Sequence, residues 1–587
     1  MKDQHISLKL VTSKQIDEVT SLWDDDLNFI TSSLTSLNPD NPFYKFISDN
    51  RSPLPIRSIL ASVRKHYNAF AILESPYLDL EFWDSHIGYY GTCFSKYPRE
   101  CCRFHFFSGT NESGEKLIQE LYNGKNEDVL AELNLKYRGY SVFRPIPSFV
   151  VGRTAIQFDS QHFDTMPSTV KLISAEKNGI PFLKATQKCV ASILNATLEI
   201  VAPEFIQQDP HLGHCGTASL WVSTNISSTK FGTSHFRFPT ITRHAVGKSM
   251  PNQHTGLLYN PLDPNAGLSL EEIKNALAAT GSGYQEVCQG EGESVDAALM
   301  RLGNFIYSYV ESGLPVLLCL QNPKSGDGHI VAAIGHALPK PGTAFKFLPL
   351  SFAVEKDIFS RHFLVSTSIS LYYVHDDCYG PYNRVVLLPP HRQKIKKTIS
   401  EKLQYFCSLK EKSDEDKFNK CVKIELGRKS ELNFIAKAIV PVHFRIRNNS
   451  WDSLLLAITL FEELYGEYIE KDTAYLWRSY LITGSEFKRS LKSREYSQKL
   501  MGFYAPIHLP KYLWVHEITE CTNSEVNKCF PTDGTRFIDG EFIYDATSPS
   551  YDVKLISRRL YGSLWEHVNE EYKVDEDASR CLCYTGK

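Results

Sequence analysis

The stretch Gln208-Asp209-Pro210-His211-Leu212-Gly213-His214-Cys215-Gly216-Thr217-Ala218-Ser219-Leu220-Trp221 puts a cysteine at the head of a run of small residues. Gly216, Thr217, Ala218 and Ser219 have little bulk, so a helix beginning at Cys215 can pack centrally rather than on a surface. The N-terminal end of a helix carries partial positive charge, which favours negative charge on a sulfur placed there. Gln208 lies seven positions upstream (215 − 208 = 7), near enough for its side-chain amide to serve an oxyanion, with Gln207 as its rival. A thiol with such a donor beside it suits acyl transfer. The plain alternative for this segment is a buried structural cysteine behaving as a small hydrophobe.

Working outward, a nucleophilic thiol needs a base within hydrogen-bond reach, and the base needs a third group to fix its tautomer. Gly328-His329-Ile330-Val331-Ala332-Ala333-Ile334-Gly335 offers an imidazole at the start of an apolar strand, beside a glycine that leaves it room. His336, at the far end of that strand, is the second candidate base. Leu371-Tyr372-Tyr373-Val374-His375-Asp376-Asp377 closes another strand with two carboxylates. Strand alternation puts Asp376 on the face of Val374 and Tyr372 and turns Asp377 away, so Asp376 is the preferred third member. Either carboxylate could instead cap the turn formed by Gly380-Pro381-Tyr382.

The chain has 587 residues, 42% of them hydrophobic, and can therefore bury more than one core, about three or four domains by length. Lys and Arg number 64 against 67 Asp and Glu, a formal charge of −3, so no global bias toward nucleic acid or an anionic membrane exists. Fourteen cysteines spread over this length do not make a disulfide framework and suit a reducing compartment. The N-terminus lacks the apolar core of a signal peptide, and apolar runs such as Leu314 to Leu320 are too short to span a bilayer. A soluble, cytoplasmic protein is expected.

Three regions are expected: an N-terminal α/β region over 1–165, a core over 166–390, and a C-terminal α+β domain over 391–587. Short apolar runs such as Asn68 to Leu73 and Tyr140 to Pro147 predict strands in the first. The helical spacing from Gly114 to Leu133 is broken around Gly124. In the core, strands from Gly179 to Glu204 lead into the Cys215 helix, and helices over Leu270 to Ala279 and Val295 to Glu311 precede a strand over Pro315 to Leu320. The Pro389-Pro390 pair and the charged residues after it, through Lys417, predict a boundary and a surface helix. Beyond it come an alternating strand over Ala436 to Ile446, a helix from Trp451 to Glu470, and strands at Tyr512 to Ile518 and Glu541 to Asp545.

Other chemistry has weaker signals. No pair of Cys-x-x-Cys motifs and no His-Glu-x-x-His is present, and Cys101-Cys102 and Cys581-Leu582-Cys583 lack partners at ligand spacing. Gly281-Ser282-Gly283 and Gly290-Glu291-Gly292 do not make a phosphate loop. No metal and no organic cofactor are expected.

Cys215-Gly216-Thr217-Ala218-Ser219-Leu220, Gly328-His329 and His375-Asp376-Asp377-Cys378-Tyr379-Gly380-Pro381-Tyr382 resemble the active-site segments of papain-like cysteine peptidases, most nearly the bacteriocin leader peptidases. In that branch a Gln precedes the thiol and an Asp-x-x-x-Gly segment follows the His strand, a spacing that Asp376 and Gly380 reproduce. Gly139 to Pro147 with Gly152-Arg153-Thr154 is also similar to large bacterial proteins bearing this core. The resemblance covers about Gly179 to Pro390. It implies an α+β fold with a papain-like core, the Cys helix packed on an antiparallel sheet, and a cysteine peptidase in which Cys215 attacks, His329 carries the proton, Asp376 orients His329 and Gln208 holds the oxyanion. A peptide or protein substrate follows, with neither nucleic acid nor membrane as partner, and with partner proteins able to use the flanking regions. An inactive binding scaffold and a transglutaminase-like acyl transferase are the alternatives.

Two features depart from the peptidase pattern. The Gln spacing is one residue longer. Forty-six residues separate His329 from Asp376 (376 − 329 − 1 = 46), an insertion expected to reshape access to the site.

Overall fold

The computed structural model describes residues 7–11, 69–157, 179–209, 215–246, 268–321, 328–339, 349–387, 404–407, 432–493, 508–522 and 540–548, with short breaks inside these spans and a few shorter pieces outside them. The fold is a mixed α+β arrangement of mostly antiparallel sheets and the helices between them. No helix among the described residues is long and apolar enough to cross a membrane.

In the N-terminal region, β1 (Ser7–Val11), β2 (Ala69–Tyr77), α1 (Leu80–Gly88), β3 (Cys101–Ser108), α2 (Asn111–Asn123), α3 (Glu127–Lys136), β4 (Tyr137–Phe143) and β5 (Val151–Ile156) follow one another. Gly124, where the helical spacing was expected to break, lies between α2 and α3 and outside the described residues. The α/β expectation is corrected here. Strands adjacent in sequence pair directly, each reversing direction, so the sheet is an antiparallel meander rather than a set of parallel crossovers.

Next come β6 (Gly179–Leu183), the hairpin of β7 (Gln187–Ile193) and β8 (Ala196–Ala202), and β9 (Glu204–Phe205), which joins the N-terminal sheet at β5. The chain then forms α4 (Cys215–Phe231), α5 (Phe238–Val246), α6 (Leu270–Ala279), β10 (Ser282–Val287), α7 (Val295–Glu311), β11 (Val316–Gln321) and β12 (Gly328–Pro339). It continues through β13 (His362–Leu364), β14 (Leu371–Asp376), β15 (Gly380–Leu387), β16 (Gln404–Cys407) and β17 (Leu432–His443). The central sheet has the order β10-β17-β11-β12-β14-β15-β16, with β6 added at β12. Because β16 pairs with both β15 and β17, six of these strands close on themselves.

Three sequence expectations look different in this sheet. The sheet draws β16 and β17 from beyond Pro390, so its hydrogen bonding runs through the boundary placed there. The charged stretch expected to be a surface helix lies mostly outside the described residues, and its described part is β16, a strand. The insertion between His329 and Asp376 leaves β12 at Pro339 and returns at Leu371. At a rise of about 3.3 Å per residue, that is roughly 30 Å from His329, so the insertion enters and leaves at the other end of the strand from the site. Its described part carries β13 across to pair with β18 (Thr473–Thr483) of the C-terminal sheet. That sheet follows α8 (Ser450–Tyr465) and continues, with α9 (Gly484–Ser493) interposed, through β19 (Tyr512–Thr522) and β20 (Gly540–Asp545).

The apolar runs in β11 and β12 lack polar alternation because both faces of the sheet are covered. Leu317, Cys319, Ile330, Ala332 and Ile334 enter one core with Leu220, Trp221 and Ile226 of α4 and with Phe104, Phe106 and Val151 of the N-terminal sheet. Val316, Leu318, Leu320, Val331 and Ala333 enter another with Phe305, Ile306 and Val310 of α7 and with Tyr475, Trp477 and Trp514 of the C-terminal sheet. The period-2 alternation thus sorts neighbouring residues into separate cores.

Residues 216–224 of α4 are all buried, as the small residues after Cys215 require of a helix enclosed between two layers. Two of its buried hydroxyls bond back to the helix: Thr224 Oγ1 donates to the Leu220 carbonyl at 2.7 Å, and Ser223 Oγ donates to the same oxygen at 3.2 Å. Burying Leu220 alone contributes roughly 1.5–3 kcal/mol. Glu204 of β9 accepts from Tyr140, Gln187 and Asn225, which ties the N-terminal sheet to α4.

Candidate active site

Four segments build the site. The first is the approach to α4. Arg144, buried at the end of β4, donates through Nη2 to the carbonyls of Val151 at 2.9 Å, Gln207 at 3.0 Å and Gln208 at 3.3 Å. Tyr90 donates to Asp209 Oδ1 at 2.7 Å. Gln207 is buried and its Oε1 accepts the Val151 N–H at 3.0 Å, so its side chain helps hold β5. Gln208 is half-buried, and its carbonyl is held by Arg144 while Gln207 is occupied with the sheet. Residues 210–214 lie outside the described residues.

Cys215 itself begins α4 and is partly exposed. One turn on, Ser219 Oγ donates to the Ile330 carbonyl at 2.9 Å, which fixes the start of the helix across the start of β12. His329 is therefore the strand residue beside the sulfur. Its side chain is 25% exposed, and Cys215 is among the neighbours that favour its charged form.

The third and fourth segments are β14 and the turn into β15. His375 faces Ala332 in the antiparallel register, which carries Asp376 to the same end of the sheet as His329. Asp376 is fully buried, and its Oδ1 lies 3.1 Å from His329 Nε2. The same oxygen accepts the Cys378 N–H at 3.0 Å. The two roles weighed for this carboxylate, turn cap and imidazole orienter, are thus both performed at once. Gly380 closes the turn at φ +108°, a conformation that L side chains rarely adopt.

Nε2 is engaged by Asp376, which leaves Nδ1 without an acidic partner. Burial opposes a charge on the ring, but the Asp376 carboxylate and the hydrogen bonds with Asp376 and Cys215 outweigh it and hold the His329 imidazolium well above its ordinary range. Burial raises the neighbouring Asp377 carboxyl, against the lowering effect of the His329 charge. The arrangement can hold a proton between sulfur and imidazole and keep one ring orientation while doing so.

The structure brings Cys215, His329 and Asp376 together at the entrance to α4 and sets Gln208 on the connection leading into it. His336, the other candidate base, is buried at the far end of β12 with Glu311. Asp377 Oδ1 stands 3.9 Å from His329 Nε2, outside hydrogen-bond distance. Sequence reasoning gave no role to Arg144. Its only trace is a charged residue among strand-forming neighbours, in Val142-Phe143-Arg144-Pro145, and what it organises becomes visible only once four carbonyls converge on it. No disulfide joins cysteines among the described residues. Comparison with protein-family models, curated proteins and solved structures found no match for this chain.

Proposed function

We propose that this protein is a cysteine hydrolase with a papain-like core, acting on an amide bond of a peptide or protein. The observation that carries the reading is the single imidazole of His329, beside Cys215 at the start of α4 and hydrogen-bonded to the Asp376 carboxylate. The Cys215 proton passes to His329 Nδ1, and the sulfur attacks the acyl carbon. The Gln208 amide donates to the resulting oxyanion. His329 then returns the proton to the leaving amine, the C–N bond breaks, and a thioester remains on Cys215. Water, deprotonated by His329, attacks the thioester and releases the carboxylic acid, restoring the thiol. Asp376 holds the ring in one tautomer throughout and stabilises its charged form. No step requires a cofactor.

An electrophilic peptidyl probe tests this reading. Peptide mapping of the labelled full chain is expected to place the adduct on Cys215 in the native protein and to find it absent in Cys215→Ala. In His329→Ala the labelling rate is expected to fall by about 10²–10⁴-fold, the usual contribution of a general base. Equal labelling of Cys215 in native protein and His329→Ala would sink the reading.

A further inference from the structure

The turn after β14 holds more ligand atoms than the triad uses. One ring nitrogen of His329, one oxygen each of Asp376 and Asp377, and Cys378 Sγ all lie within 4.8 Å of one another. We propose that these four residues bind a single thiophilic divalent cation of the zinc class, and that its binding switches the thiol centre off. The binding half stands on the cluster alone, and the switching half rests on the function proposed above.

Spacing is the first argument. Bonds of about 2.0–2.3 Å to a tetrahedral zinc place neighbouring ligand atoms roughly 3.3–3.8 Å apart. His329 Nε2 lies 3.1 Å from Asp376 Oδ1 and 3.9 Å from Asp377 Oδ1, and Cys378 Sγ lies 3.8 Å from Asp377 Oδ2. These separations bracket the required range, and all four ligand atoms lie within 4.8 Å of one another, so shifts of about an ångström would complete the shell.

The orphaned oxygen is the second. Asp377 is buried, and its Oδ1 has no hydrogen-bond partner among the described residues, although it points toward the His329 ring. A buried carboxylate oxygen without a donor is costly, and a cation is what such an oxygen lacks. The ligand chemistry narrows the ion: one thiolate, one imidazole and two carboxylates form a borderline-soft set that suits zinc over magnesium or calcium. Cys378 is exposed, which gives the ion an entry path.

The consequence for catalysis follows from which nitrogen is used. A cation on Nε2 displaces the proton that this nitrogen carries toward Asp376. The ring then carries its one proton on Nδ1 and cannot accept another from the thiol. Cys215 is not one of the four ligand residues.

Zinc titration of the metal-stripped full chain, followed by calorimetry, tests the site without reference to activity. One ion per chain is expected, with unchanged affinity in Cys215→Ser. Cys378→Ser and Asp377→Asn are each expected to weaken binding by more than the ~10-fold that follows loss of an outer-shell partner. Cobalt in place of zinc adds a spectroscopic signature: a thiolate-to-metal charge-transfer band in native protein and Cys215→Ser that is absent in Cys378→Ser. No binding, or binding that survives both substitutions, overturns the site. The switch is read as the ratio of probe-labelling rates at Cys215 with and without zinc in each protein, expected to fall in native protein and to stay near one in Cys378→Ser. Labelling that continues with zinc bound overturns the switch. Zinc binding in a protein whose Cys215 never labels leaves the site standing and removes the proposed hydrolase.

Discussion

His329 and His336 stand on one strand seven residues apart (336 − 329 = 7), and each has a carboxylate partner, yet the two ends of β12 do different work. His336 Nε2 lies 2.7 Å from Glu311 Oε2, and Glu311 is also bound by Arg478, which reaches Glu517 at 3.0 Å. Tyr480 donates to Glu517 at 2.7 Å, completing a buried network that joins the central and C-terminal sheets. No cysteine among the described residues takes part in it. His329 has a longer hydrogen bond, a quarter of its side chain exposed, and a thiol beside it. A histidine paired with a carboxylate is therefore ambiguous. What separates structure from chemistry is access, together with what lies beside the ring.

The sharpest test of this contrast is Asp376→Asn. The carboxylate holds the His329 imidazolium above its ordinary range, so the charged ring persists as pH rises above about 6.5 and is lost only at the higher folded value. Removing the carboxylate's charge lowers that value, so the alkaline limb of the labelling profile at Cys215 is expected to move to lower pH. The neutral-pH rate is expected to fall by about 10²–10⁴-fold. An unmoved alkaline limb would mean that Asp376 does not set the charge on the ring.

Glu311→Gln probes the other end of the strand. Burial disfavours the Glu311 charge, but Arg478, Lys184 and His336 outweigh it and hold its carboxyl well below the ordinary range. The stability it contributes is present above the unfolded carboxylate value and is lost as pH falls through the folded one. The variant is expected to lose about 3–5 kcal/mol at neutral pH in denaturant unfolding and to show a flatter acid limb. Labelling per folded molecule should not change. A selective loss of labelling without loss of stability would erase the distinction between the two ends.

Gln208→Ala comes next, with an expected loss of about 10²–10³-fold in acylation rate if its amide serves the oxyanion. A loss matched by Gln207→Ala at equal stability would move that role. Ser219→Ala is the smallest effect. Deleting the hydrogen bond to the Ile330 carbonyl is expected to cost about 1 kcal/mol in thermal or denaturant unfolding. The accompanying fall in labelling would measure how much the helix start depends on that contact.

Much of this was legible along the chain because it is local. The small residues after Cys215 read as a centrally packed helix, and α4 is buried along that run. Gly328-His329 read as the opening of an apolar strand, and Asp376 as the end of another followed by a turn. The preference for Asp376 over Asp377 came from strand parity and the Asp-x-x-x-Gly spacing, and the two carboxylates lie 3.1 and 3.9 Å from His329 Nε2. Where the insertion lies within the 46 residues between His329 and Asp376 was not legible, since spacing in sequence does not say which end of a hairpin an insertion leaves from. The boundary at Pro390 failed for a related reason. Prolines and charge mark a break in local structure, while β17 returns across it through hydrogen bonds that carry no sequence signal.

The chain's local chemistry decided where a thiol at a helix start, an imidazole at a strand start and a carboxylate at a turn would stand, because backbone periodicity and side-chain size operate over a few residues. Convergence was settled elsewhere. The hydroxyl that fixes α4 over β12 acts across 111 positions of sequence, and the register that sets His375 against Ala332 brings Asp376 to His329 across 47. Such contacts depend on strand order and layer packing, which no short segment encodes alone.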